Sequence, residues 1–164
     1  MRTSFKLVLA LVASAVTATP AAAQLSDNID ATATVLAALS VTGDADLGFG
    51  NIAPSQTKIV AAASGGHFAI SGATGSSVSF RFNALPANLQ IAGLTLSSWT
   101  GLHRNTNVSA GATVFTPTAG VSESVTLDAG TGSYFVWIGA TLTAAGVVAP
   151  GNYTQPITLE VFYN

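Results

Sequence analysis

The chain has no cysteine, so disulfide staples and thiol chemistry are both excluded, and burial with strand pairing must hold the fold. Charged residues make up only 7% of it, against about a quarter in an ordinary soluble domain. Ala, Thr, Ser, Gly and Val fill the space instead. Such a neutral surface suits a subunit that buries its flanks against copies of itself, and in isolation it is an aggregation liability. Lys and Arg together number 5, and two of these, Arg2 and Lys6, lie at the extreme N-terminus, so no basic patch for nucleic acid remains. The histidines His67 and His103 are far apart, and neither stands at metal-ligand spacing from another histidine or a carboxylate. His67, following Gly65-Gly66, reads as a partly exposed strand or turn residue. No G-x-S-x-G elbow occurs, and Gly48-Phe49-Gly50 leads into Pro54 rather than a helix, which rejects a dinucleotide loop. No catalytic, cofactor-binding or metal-binding residue is nominated, and the chain is expected not to be an enzyme.

The N-terminus has the layout of a secretion signal. Arg2 and Lys6 precede the apolar run Leu7 to Val16, which is too short to span a bilayer comfortably, and Ala21-Ala22-Ala23 offers a small-residue cleavage site. Residues 1–23 are therefore expected to be a signal peptide. About 140 residues then remain, enough for one domain with a real core.

Beyond the signal the pattern is alternation. Ile29, Ala31, Ala33, Val35, Ala37, Leu39 and Val41 alternate with mostly polar neighbours, and the glycine that ends this run favours strand over helix. Further strand patterns cover Ala45 to Ile52, Thr57 to Ala62, His67 to Ser71, Val78 to Phe82, Leu89 to Leu96, Val121 to Leu127 and Ser133 to Leu142. Gly and Pro turn signals separate them. The expected fold is all-β: an immunoglobulin-like antiparallel β-sandwich, with residues 24–42 as an N-terminal strand and 43–164 as the sandwich domain. The polar stretch Ser97 to Asn107 reads as a long connection whose Trp99 covers the core edge, or as a loop contacting a sugar or a neighbouring subunit.

The tail carries the clearest signal. After a turn at Pro150-Gly151, where glycine would accept the positive φ of a type II corner, Ile157, Leu159, Val161 and Tyr163 fall on one face of an extended chain. A glycine fourteenth from the end, alternating apolar residues and a penultimate tyrosine resemble the C-terminal strand of chaperone–usher pilins. Together with A-T-A-T-V-L-A-A-L-S-V-T (31–42), D-L-G-F-G-N-I (46–52) and F-V-W-I-G-A-T-L (135–142), the chain resembles spore coat protein U relatives of those pilins and, more closely, the small secreted proteins of the domain-of-unknown-function 4402 family. One departure is the missing cysteine, since pilins often carry an N-terminal disulfide.

The resemblance implies a pilin-like sandwich completed by a strand donated from the next subunit, with a periplasmic chaperone and an outer-membrane usher as partners. It implies that the chaperone grips the C-terminal strand, here Gly151, Ile157, Leu159, Val161 and Tyr163. The natural donor is Ile29 to Val41, with Ile29, Val35, Leu39 and Val41 as anchors. At about 1.5–3 kcal/mol per buried large side chain, the four would contribute roughly 6–12 kcal/mol gross. The expectation is a secreted structural subunit of a surface fibre or coat, passing through the periplasm. Two alternatives stay open: a self-contained secreted β-sandwich, and a small outer-membrane β-barrel.

Overall fold

The computed structural model describes residues 27–164; the signal peptide expected over 1–23 lies outside them. The chain divides into two units, Met1–Thr34 and Val35–Asn164. In the first, residues 27–34 are exposed and carry neither helix nor strand, and the Asn28 N–H donates to the Asp27 carboxylate at 2.9 Å.

The second unit is built from β1 (Ser40–Ala45), β2 (Thr57–Val60), β3 (Gly66–Ser71), β4 (Ser77–Phe82), β5 (Leu94–Arg104), β6 (Thr113–Phe115), β7 (Ser122–Thr126), β8 (Ser133–Ala144) and β9 (Leu159–Tyr163). They form two antiparallel sheets. The larger has the order β1-β3-β8-β5-β6, with β2 pairing the far half of β8, and the smaller has the order β7-β4-β9. The sheets face each other as a sandwich and do not close into a barrel, which removes the outer-membrane barrel alternative.

β8 is the spine. Its first half pairs with β3, from Ser133 opposite Ser71 to Ile138 opposite Gly66, and its second half pairs with β2, from Ala140 opposite Val60 to Thr143 opposite Thr57. Between the halves lies Gly139, where a Cβ would run into the backbone of Val60, Ala61 and Ala62. Glycine there lets the chain cross the sheet between β2 and β3.

The smaller sheet covers only part of the larger one. Where it does, Val78, Phe80, Phe82 and Leu159 pack on Ile70, Val136 and Ile138. The remaining part of the larger sheet presents Leu94, Leu96, Ala140, Leu142 and Ala144, and it is covered by loop residues including Leu47, Phe49, Leu89, Val148 and Tyr153.

Several expectations are corrected. The strand read over Ile29 to Val41 is realised only from Ser40. Asp46 to Ile52 is irregular, because Gly50 turns left-handed at φ 62°. Leu89 to Gly93 is a tight turn with Gln90 at φ 66°, so that strand begins at Leu94. Ser97 to Arg104 is not a loop but the second half of β5; a β-bulge between Ser97 and Thr100, with Ser98 at φ 49°, resets the alternation that the sequence obscures. Trp99 does cover the core, packing against both apolar clusters. His67 is buried rather than partly exposed, stacked 4.9 Å from Trp137 and 3.4 Å from the Asp44 carboxylate through Nδ1. Burial lowers its pKa, with Asp44 opposing, and Nε2 is buried without a hydrogen-bond partner among the described residues. Gly151 does not take a left-handed φ, and the tail becomes a strand only at Leu159.

A candidate strand-binding seam

Strand β1 ends one sheet and β9 ends the other, and the two edges lie against each other along one side of the sandwich. A free strand edge leaves a row of backbone donors and acceptors unpaired. The apolar interior behind these edges is also incompletely covered. Val41 pairs with the fully buried Ile70 and so shares its inward face, yet it is 37% exposed. Phe68, Ile157 and Val161 pack on the core from the same side and are half-buried.

Followed away from Tyr163, the seam opens into a cavity of about 1030 Å³. Its apolar lining includes Leu47, Phe49, Phe68, Leu96, Leu142 and Ile157. Two irregular stretches flank it, the Asp46–Ile52 loop on one side and residues 148–157 on the other. Lys58 Nζ donates to the Phe49 carbonyl at 3.2 Å and holds the first of these; Tyr153 Oη donates to the Ala149 carbonyl at 2.8 Å within the second. The site has the chemistry of a receptor for an extended apolar chain: backbone groups along an edge and pockets behind it.

At its other end the seam is closed. Tyr163 Oη accepts the Ala73 N–H at 2.7 Å and donates to the Ala37 carbonyl at 2.8 Å. Leu39 packs on the same core. Upstream of this point the chain is open: Val35 is 93% exposed and Leu36 46%.

The structure places the sequence-nominated residues in three groups. Ile29 and Val35 are exposed, Ile29 at 98%, on the arm, residues 27–39, the stretch without helix or strand that leads into β1. Leu39 and Val41 belong to the sandwich, Leu39 partly buried against its core and Val41 in β1. Of the tail set, Leu159 is buried and Ile157, Val161 and Tyr163 pack on the core as the alternation requires, while Gly151 is exposed and lines the cavity. Sequence reasoning missed Phe68, Leu47, Phe49 and Leu142 as cavity walls, and Gly72 beneath Tyr163. The glycines at 48 and 50 were the available signal that 46–52 wraps a cavity rather than pairing.

Within the second unit, the start of β1 and the cavity lie toward opposite ends of β8. Ser40, where the arm joins β1, aligns through Ser71 with Ser133 at the start of β8, whereas the cavity is walled by Ile138, Leu142 and Ala144 farther along that strand.

Elsewhere, His103 Nδ1 lies 2.8 Å from Tyr134 Oη between the sheets, and burial lowers the histidine pKa, with Glu123 opposing. Among the described residues no group of three or more His, Cys, Asp or Glu could hold a metal, and no helix is long and apolar enough to cross a membrane. The family model described as Domain of unknown function (DUF4402) matches residues 39–163, beginning at Leu39, which packs against the core. No curated protein and no solved structure matches the chain.

Proposed function

The chain belongs to the DUF4402 family, a membership that assigns no activity, and from its geometry we propose that it is a secreted structural subunit of a surface fibre or coat. The exposed arm of one copy fills the seam of the next. One observation carries this reading: the exposed, strand-patterned residues Val35 and Leu36 lead into β1 at the end of the sandwich where β8 starts, and the apolar cavity at the open end of the seam is walled by residues farther along β8. Complementary elements at opposite ends join head to tail, and such contacts give an open fibre rather than a closed ring. The donated segment is shorter than the alternating run. Leu39 and Val41 already serve their own sandwich, which leaves Ile29 and Val35 as large anchors worth about 3–6 kcal/mol gross. Backbone hydrogen bonds along the free edges, at about 0.5–1.5 kcal/mol each, supply the rest.

In the periplasm the same seam and the β9 edge would be held by a chaperone, and an usher would pass the subunit outward; these partners rest on the resemblance to pilins. The second reading, a self-contained secreted sandwich, is favoured by the housing of Leu39 and Val41 within their own sandwich. A denaturing gel of surface material, heated and unheated, separates the two. Strand-exchanged polymers resist detergent because they unfold slowly, so a ladder that collapses to one band on boiling is expected. A monomer band before and after heating would sink the fibre reading.

A further inference from the structure

The seam is closed at one end by a single oxygen. Tyr163 Oη joins the last strand to the turn after β3, through the Ala73 N–H, and to the root of the arm, through the Ala37 carbonyl. The knot depends on Gly72. A Cβ there would lie 2.7 Å from Tyr163 Oη, 2.8 Å from Leu39 Cδ1 and 2.9 Å from Leu127 Cδ1, so the three side chains converge on the space that glycine leaves.

Any subunit carrying both an alternating arm and an open seam faces a competition. Its own arm is present at an effective concentration of about millimolar, whereas a neighbour's arm must diffuse to it. To lie in its own seam beside β1, the arm has to reverse direction through the residues that join it to Ser40. These are the residues held in place: Ala37 by its carbonyl and Leu39 by its side chain. Val35 and Leu36, just upstream, are exposed rather than folded back. We infer that the Tyr163–Ala37 knot is a strap that keeps the arm out of the subunit's own seam and leaves it for a second copy. The inference rests on the reading of the seam as a strand receptor. It assigns Tyr163 a positioning role beyond its place in the core.

Two variants test it. Tyr163→Phe keeps the ring and deletes both hydrogen bonds; Gly72→Ala keeps the hydroxyl and forces the knot apart. Each is compared with wild type on the unheated gel and by amide hydrogen exchange of residues 29–36 in the monomer, with β8 amides reporting that the sandwich is intact. The expected result is several-fold less polymer and arm amides slowed at least about tenfold as the arm docks in its own seam. A wild-type ladder together with unprotected arm amides in both variants overturns the strap. If wild type itself forms no polymer, the fibre reading fails, and exchange still decides: arm protection gained only in the variants supports the strap, and its absence overturns it.

Discussion

His103 Nδ1 and Tyr134 Oη meet at 2.8 Å between the two sheets, His103 lying within 5.6 Å of the Phe80 ring and 5.4 Å of the Phe115 ring. Burial holds the imidazole below its ordinary pKa of 6.5, and the facing Glu123 carboxylate offsets this only in part. His67 is lowered likewise by burial, against Asp44. In both, the unfolded chain takes up a proton before the folded one does. Stability is therefore complete above the ordinary histidine value and falls as pH drops from there through the lowered folded values. Urea midpoints measured from pH 8 to 5 should decline below about pH 6.5, and His103→Gln, which retains a partner for Tyr134 without titrating, should flatten the decline. A slope unchanged by that variant would assign the effect to other groups.

Gly139 is the crossing point of the larger sheet. An added methyl would press on main chain from Val60 to Ala62 rather than on a side chain that could turn away. Gly139→Ala should cost about 1–3 kcal/mol, visible as a fall of several degrees in Tm. An unchanged Tm would mean that the segment between β2 and β3 is free to lift off the sheet.

On the outer face of the smaller sheet, Arg81 Nε meets Glu160 at 2.9 Å and the guanidinium lies 5.6 Å from the Phe162 ring. Both ion-pair partners are well exposed, at 40% and 38%. Arg81→Ala should therefore cost under about 1 kcal/mol, shrinking as salt is added. A larger, salt-independent loss would show that the aromatic contact dominates.

How far the sequence could be read depends on what each signal reports. Alternation reports which side chains share a face, and in the tail that was enough: Leu159, Val161 and Tyr163 all turn toward the core. It does not report whether an edge is available to pair with. Residues 31–41 alternate as regularly as the tail, yet the ladder begins only at Ser40. In β5 the reverse holds, because the bulge at Ser98-Trp99 breaks the period within a continuous strand. The seam itself was not legible, since its closure by Tyr163 joins residues at the two ends of the folded unit.

Arm and seam can be disabled separately, which makes the assembly testable by mixing. Val35→Asp places a charge at an arm anchor that is 93% exposed, so the sandwich should keep its Tm while its arm no longer enters a neighbour. Val41→Asp places a charge in the seam, at a side chain already 37% exposed, and should spare folding while blocking entry. A charge carried into an apolar pocket without a partner costs several kcal/mol, comparable with the whole side-chain contribution of the arm. Each variant alone should run as monomer on an unheated gel. Mixed during refolding, the intact arm of Val41→Asp can enter the intact seam of Val35→Asp, and the product has no working arm and no working seam left. The mixture should give a heat-labile dimer band and nothing longer. Ladders from either variant alone would refute the assignment of arm and seam, and a mixture that stays monomeric would show that the two elements do not meet.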